Sequence, residues 1–297
     1  MIITFLGTAC MQPTKDRNHP GILLSYKAEN ILMDCGEGIQ RQLRIAGIKA
    51  SKITKLLISH WHGDHILGIP GLMQTMGASE YSGKLEIFGP VGSKLYLENM
   101  FKSFSSTGTI DYSVKEITKP GKFFECEDFL LEAAELEHGI PTLGFSFVEK
   151  DRRKIKLVVT KKLGIPEGPL LGELQRGNDI VWKGDKVKAD DTTSVIKGRK
   201  VTYISDSLPC NGALNLAKYS DLLISEASFA SSLKDKAEEY KHMTAREAAL
   251  MANRSESKKL VLTHFSQRYK ETSEIEEDAK DVFADVVCAR DFMKINL

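Results

Sequence analysis

The sequence predicts an α/β fold, a sandwich built mostly of β-sheet with helices packed outside it. Three observations point there. Short apolar runs rich in β-branched residues recur along the chain, and segments of helical periodicity separate them. The first such runs follow one another as a meander, the third stopping at Gly36 and Gly38. Polar residues able to do chemistry collect where the runs end, as expected when strands deliver loops to one edge of a sheet.

Taken in order, ITFLGT and GILLSY are strands separated by a polar loop. ENILMDCGEG is a third strand that stops at Gly36 and Gly38, which completes a β meander. IQRQLRIAGI carries Ile39, Leu43 and Ala46 at helical spacing and ends on Gly47. KLLISH is a buried strand that delivers His60 and the residues after it. LGIPGLMQTMG reads as a helix with proline near its first turn. KLEIFGP is a strand and SKLYLENMFKSF a helix. FFECEDFLLEAAELEHGIPTLGFSFVEK reads as two strands flanking a loop that carries His138. KVTYISDS ends on Asp206, SDLLISEASF ends near Glu226, and KKLVLTHFS ends on His264. AREAALMANRS is a helix with an alanine-rich interior.

Residues 151–190 break this scheme. DRRKIKLVVTKK holds six basic residues against one acidic, and LGIPEGPLLGELQRG is punctuated by Gly164, Pro166, Gly168, Pro169 and Gly172. The stretch reads as an arm inserted into a single domain spanning residues 1–297.

At 297 residues and 42% apolar, the chain can bury a full core. Its net charge of +1 removes any argument from overall charge, so only local clusters of charge can select a partner. No apolar run approaches the roughly 18 residues that span a membrane, and MIITFLGTAC lacks the pattern of a signal peptide. A cytoplasmic protein without membrane partners is expected. The five cysteines are odd in number, widely spaced and never in a C-x-x-C pair, so they read as reduced thiols.

SHWHGDH concentrates the chemistry. Three of the seven histidines, His60, His62 and His65, fall within it beside Asp64. A metal needs deprotonated N, O or S ligands on a short rigid backbone, and H-x-H-x-D-H offers four on one loop that can feed two ions. Residues two apart converge on one ion while the adjacent Asp64 and His65 point elsewhere, and Gly63 allows the turn. A dinuclear zinc hydrolase also needs distant ligands and a bridging anion, for which His138, Asp206 and His264 are the natural candidates. Each has another reading: His138 precedes a glycine in a turn, Asp206 could cap a helix, and His264 could be a satisfied core histidine. Their common placement at strand ends favours the site.

ISHWHGDH, HGIPTLG, SDS, HMTAREAA and THFS resemble the metallo-β-lactamase superfamily, and within it the short-form tRNase Z family, endonucleases that trim the 3′ end of precursor tRNA. PTKDRN resembles that family's P-x-K-x-R-N loop, and GIPEGPLLGELQRG the glycine- and proline-rich part of its tRNA-gripping exosite arm. The resemblance implies an αβ/βα sandwich with two mixed β-sheets, outer helices and a protruding exosite arm. It implies two zinc ions per subunit, one on His60, His62 and His138, the other on Asp64, His65 and His264, with Asp206 bridging. SDS departs from the GDT common among relatives but keeps the carboxylate. A homodimer is implied by the resemblance alone.

The implied reaction leaves a 3′-hydroxyl on the tRNA and a 5′-phosphate on the trailer. Two zinc ions roughly 3.5 to 4 Å apart lower the pKa of a shared water to near 7. Asp64 can accept that water's proton, and His242, which matches the family's position, would protonate the leaving O3′. A helix-capping or surface role is the alternative for His242, and Glu247 is expected to act within its helix. Arg152, Arg153, Lys154, Lys161 and Lys162 would neutralise phosphates if they share a face, which suits reading of tRNA shape. Lys15 and Arg17 would contact phosphate near the scissile bond, with Asn18 fixing their loop. Asp34 reads as a support behind the ligands. Two other readings compete. One is a hydrolase of small phosphodiesters or sulfate esters, which would need no arm. The other is a non-catalytic RNA-binding descendant, which would not keep seven ligand positions.

Overall fold

Two seven-stranded sheets hold most of the strands. The computed structural model describes residues 1–105 and 110–297. The first sheet comprises β1 (Ile2–Gly7), β2 (Gly21–Tyr26), β3 (Glu29–Met33), β4 (Lys55–Leu57), β5 (Lys84–Pro90), β6 (Asp111–Ile117) and a late strand, Lys294–Asn296. The first three pair antiparallel as the predicted meander, and β3 to β6 run parallel. The second sheet comprises β7 (Gly121–Glu125), β8 (Phe129–Leu136), β9 (Thr142–Glu149), β10 (Lys200–Ile204), β11 (Leu222–Glu226), β12 (Leu260–Thr263) and Val286–Cys288, side by side in that order. From β10 onward its pairings are parallel. Strands β11 and β12 are buried along their whole length, because both faces are covered.

Helices cover the sheets with apolar stripes. Helix α1 (Ile39–Ile45) buries Ile39, Gln42 and Leu43. Helix α2 (Ile69–Ala78), opened by Pro70, adds Ile69, Leu72, Met73 and Met76 to the same cluster, which also holds Leu23, Leu32 and Leu56. Helix α3 (Ser93–Lys102) follows β5. On the second sheet, α4 (Asn211–Ala217) and α5 (Ala245–Arg254) pack small alanines against Leu223, Leu260 and Leu262. A capping box opens α5: the Thr244 hydroxyl accepts from the Glu247 N–H at 3.2 Å, and Glu247 accepts from the Thr244 N–H at 2.9 Å.

Two readings needed correction. Residues 121–149 form three strands, not two, because the Cys126 N–H donates to the Phe129 carbonyl at 2.9 Å and folds the chain back at the acidic EDF turn. The strand β6 was not anticipated; its burial is mixed and its charges interrupt any apolar run.

The chain divides into two compact units. The larger comprises Met1–Phe124, Leu131–Phe147 and Lys200–Leu297; the smaller comprises Glu125–Leu130 and Val148–Arg199. Within the smaller unit Arg152–Ile155 pairs antiparallel with Thr193–Ile196. Two short helices, Leu157–Lys162 and Pro169–Gln175, and the hairpin Ile180–Trp182 with Asp185–Val187 complete it. Ile165, Leu174, Ile180, Val187 and Ala189 form its own small core. Side chains alternate along a strand, so Arg152 and Lys154 are exposed together while Arg153 turns the other way. Arg153 is held by Asp190 at 2.7 Å and the Thr193 hydroxyl at 3.0 Å. Lys161 and Lys162 are exposed at the end of their helix.

Candidate metal and active site

Strand β4 ends at Leu57, and the next residues run extended into a helical turn, Gly63–Ile66, that carries Asp64 and His65. His138 follows β8, Asp206 follows β10 and His264 follows β12. Strand ends separated by up to about two hundred residues therefore supply one cluster, and the ligand atoms of His60, His62, His138 and Asp206 lie within 4.8 Å of one another. Those of Asp64, His65 and His264 form a second such group.

Asp206 faces both groups. Its Oδ2 lies 3.7 Å from His60 Nε2, 3.5 Å from His65 Nε2 and 3.9 Å from His138 Nε2, while Oδ1 lies 3.4 Å from His264 Nε2. Asp64 Oδ2 is 3.4 Å from His65 Nε2 and 3.6 Å from His264 Nε2. All seven candidate ligands are thus brought together.

The tautomers follow from the outer partners. Ser59 Oγ donates to Asp34, so it accepts from His60 Nδ1 at 2.9 Å. His65 Nδ1 donates to Asp34 Oδ2 at 2.9 Å, and His138 Nδ1 donates to the Lys241 carbonyl at 3.0 Å. Ser228 Oγ donates to Glu226 and accepts from His264 Nδ1 at 3.1 Å. Four rings thus spend their Nδ1 proton outward and aim Nε2 inward, the arrangement that a cation's ligands require. Three nitrogens crowd at short range: His62 Nδ1 lies 3.1 Å from His60 Nε2 and 3.3 Å from His138 Nε2. Asp206 Oδ1 is buried without a hydrogen-bond partner. An orphaned carboxylate oxygen amid converging lone pairs fits a bound cation, and an all N and O donor set suits zinc among others.

Charge supports that fit. Burial holds His60 and His62 below the ordinary imidazole range, so both stay neutral and able to ligate. Burial opposes protonation of His65 and His264 too, but Asp206 and the neighbouring acids outweigh it and raise both. A proton is held there in the place a cation would take. Burial would raise Asp64 and Asp206, yet the surrounding histidines hold both carboxyls well below the usual range.

Asp34, whose φ of 58° is in the left-handed region, collects the buried network behind the ligands. It accepts from the Ser59 N–H at 2.7 Å, the Tyr203 hydroxyl at 2.9 Å and His65. His242 lies beside the ligands, its ring centroid 5.3 Å from that of His138 and 5.5 Å from that of His264. Its Nδ1 donates to Glu226 Oε1 at 2.9 Å. Burial lowers the imidazole's pKa, but the Glu226 carboxylate outweighs burial and raises it to about 9. A protonated ring has no lone pair for a metal and has a proton to give. The sequence places Glu226 near a strand end but gives it no role, since a lone glutamate there carries no spacing signal; the structure sets it against His242.

The PTKDRN loop reaches the same centre by a different route. The Met11 N–H donates to Asp64 Oδ2 at 3.0 Å. Lys15 is exposed, whereas Arg17 is partly buried over the Phe265 ring at 5.4 Å and donates to the Lys270 carbonyl at 3.2 Å. Asn18 Nδ2 donates to the Glu37 carbonyl at 2.8 Å.

Comparison with known proteins decides the family. Ribonuclease Z of Methanothermobacter thermautotrophicus is 40% identical over 299 residues, covering 100% of this chain and 97% of that protein. The chain belongs to the ribonuclease Z family. Ribonuclease Z of Archaeoglobus fulgidus is 39% identical over 300 residues, covering 99% of this chain and 97% of that one. The crystal structure of human tRNase Z, short form, matches with a TM-score of 0.72 and 31% identity, covering 100% of this chain and 99% of that one. A metallo-β-lactamase fold protein of Bacillus subtilis matches the fold with a TM-score of 0.70 at 19% identity, over 99% of this chain and 98% of that one. The family model of the anti-Pycsar protein Apyc1 matches residues 1–160, a stretch that ends before Asp206, His242 and His264. The fold is thus the metallo-β-lactamase sandwich of a family of hydrolytic endoribonucleases. Among the described residues, no helix is long and apolar enough to cross a membrane.

Proposed function

We propose that this protein is a zinc-dependent endoribonuclease that removes the 3′ trailer from precursor tRNA. Identity of 40% to a ribonuclease Z along the whole chain carries the reading, and the convergence of the seven candidate ligands supports it. His60, His62 and His138 would hold one zinc, Asp64, His65 and His264 the other, with Asp206 shared. When bound, two such ions supply Lewis acidity at the phosphate and a water that ionises near neutral pH.

The chain's own residues do the rest. Asp64, its Oδ2 fixed by the Met11 N–H, accepts a proton from the attacking water. The P–O3′ bond breaks, and His242 delivers its proton to the departing O3′ while Glu226 stabilises the imidazolium. The tRNA keeps a 3′-hydroxyl and the trailer a 5′-phosphate. Lys15 would meet phosphate near the scissile bond, with Arg17 and Asn18 shaping its loop from within. Residues 151–190 would act as the tRNA-binding exosite, with Arg152, Lys154, Lys161 and Lys162 on phosphates; Arg153, engaged by Asp190, would order that surface. The protein would work as a cytoplasmic homodimer.

Incubating the purified protein with a precursor tRNA carrying a 3′ trailer and mapping the cut to the nucleotide tests this. A single cut at the tRNA 3′ end, with close to two zinc ions per chain by elemental analysis, is expected. No cleavage of the precursor alongside turnover of bis(p-nitrophenyl) phosphate would favour the small-phosphodiester reading.

A further inference from the structure

A carboxylate from the far end of the chain carries more hydrogen bonds into this region than its sequence position suggests. Asp291 lies in the turn before the last strand, where the Phe292 N–H donates to the Phe5 carbonyl at 2.7 Å and the Phe5 N–H donates to the Met293 carbonyl at 3.0 Å. That pairing fixes Asp291 against β1. Its Oδ1 accepts from the Thr8 hydroxyl at 2.8 Å. Its Oδ2 accepts from the Asn18 N–H at 2.8 Å and from Gln42 Nε2 at 3.1 Å. One side chain therefore ties together the end of β1, helix α1 and the PTKDRN loop.

The loop transmits that anchoring. Beside the anchored amide, the Asn18 carbonyl accepts from the Ala9 N–H at 2.9 Å, and His19 Nε2 lies 3.2 Å from the Met11 carbonyl. Thr14 N–H donates to the Arg17 carbonyl at 2.8 Å, closing the tip. The loop also runs so close to β1 that a Cβ on Gly7 would lie 1.8 Å from the His19 carbonyl oxygen. At its first residue beyond Cys10, the Met11 N–H holds Asp64 Oδ2.

We propose that Asp291 is a positioning residue for the reaction: by holding the 11–19 loop against β1 and α1, it sets the orientation of the Asp64 carboxylate through the Met11 N–H. The inference rests on the proposed hydrolytic role of Asp64. Truncation to alanine leaves two N–H donors without their acceptor and frees the loop from its anchor. An asparagine keeps one oxygen for the Asn18 and Gln42 donors, and its NH2 donates to the Thr8 hydroxyl, which can reverse its role.

The test compares wild type, Asp291→Ala and Asp291→Asn in the zinc-loaded protein below their melting temperatures. Asp291→Ala should lower kcat roughly tenfold or more on both precursor tRNA and bis(p-nitrophenyl) phosphate, since a small displacement of a reacting group has effects of this size. KM for bis(p-nitrophenyl) phosphate should hold within about twofold, because that small ester does not depend on Lys15, which rides on the same loop, and the contact that moves for it is with a reacting group. Trypsin should nick the Ala variant after Lys15 faster than wild type, a readout independent of activity. Asp291→Asn should restore both. Wild-type kcat and wild-type trypsin resistance in Asp291→Ala would overturn the inference, as would equal losses in the Ala and Asn variants. Failure of wild type to cut precursor tRNA would instead sink the proposed function, and the comparison on bis(p-nitrophenyl) phosphate and the trypsin assay would still judge Asp291.

Discussion

Replacing Glu226 with glutamine isolates the proton that His242 is expected to give. Burial lowers the His242 imidazole, but the acids around it, Glu226 foremost, outweigh burial and raise it from its ordinary 6.5 to about 9, which corresponds to about 3 kcal/mol of added folding stability while the ring is protonated in both folded and unfolded states. A pKa raised in the folded state stabilises below the unfolded value, and that contribution disappears as pH climbs through the folded value. The window therefore runs from pH 6.5 to about 9. Chemical denaturation of the metal-stripped protein across that window should show wild type losing most of its advantage over Glu226→Gln progressively, down to a small residue. His65 and His264 titrate in both proteins, so the difference removes their share. The residue is set by the Ser207 and Ser228 N–H donors, which Glu226 accepts at 2.9 and 3.2 Å and of which the amide can satisfy only one well. In the zinc-loaded enzyme, the alkaline limb of kcat/KM should lie at lower pH in Glu226→Gln than in wild type. Parallel stability curves together with unmoved limbs would refute the coupling of Glu226 to His242.

Three further outcomes are expected. Asp206→Ala should reduce bound zinc per chain by elemental analysis and lower phosphodiester turnover at least about 100-fold, the upper range for disturbing even an outer partner of a ligand. Thr244→Ala removes the hydroxyl that caps α5 and should lower stability by about 1 kcal/mol in urea denaturation without changing zinc content. Arg152→Ala and Lys154→Ala together should flatten the salt dependence of precursor tRNA binding, each lost phosphate contact lowering the logarithmic slope by roughly one, whereas Arg153→Ala should leave the slope unchanged.

Local chemistry was legible in the sequence where spacing encodes it. SHWHGDH pointed to residues that the fold brings together because two-residue spacing on a tight loop has few other uses, and β-branched runs ending on Asp206 and His264 put those residues at strand ends. What spacing does not encode stayed hidden. Glu226 meets its partners across turns at no regular spacing, Asp291 meets Thr8, Asn18 and Gln42 far away in the chain, and a single acid at a strand end or in a turn looks like any other. Arg153 was grouped with its basic neighbours, but strand alternation turns it to the opposite face, a fact that needs the strand first. The smaller unit reaches Arg199 rather than stopping near 190, because Thr193–Ile196 must return to pair with Arg152–Ile155, and antiparallel partners so far apart leave no local trace. Membership of the tRNA-processing family was carried by motif resemblance and then by full-length identity; the physics of the site alone speaks of a hydrolase.

The strand-end origin of the site also dictates when it can exist during synthesis. A chain emerging from its N-terminus presents His60 and His62 early, gains His138 only after β8, and lacks its shared carboxylate until residue 206 has been made. The second group stays open until His264 follows β12. Because contacts of such long sequence separation form late, a nascent chain that has not reached residue 264 offers at most the first candidate group and lacks the second. Truncation ahead of His264 would therefore disarm a hydrolase whose H-x-H-x-D-H motif is entirely intact.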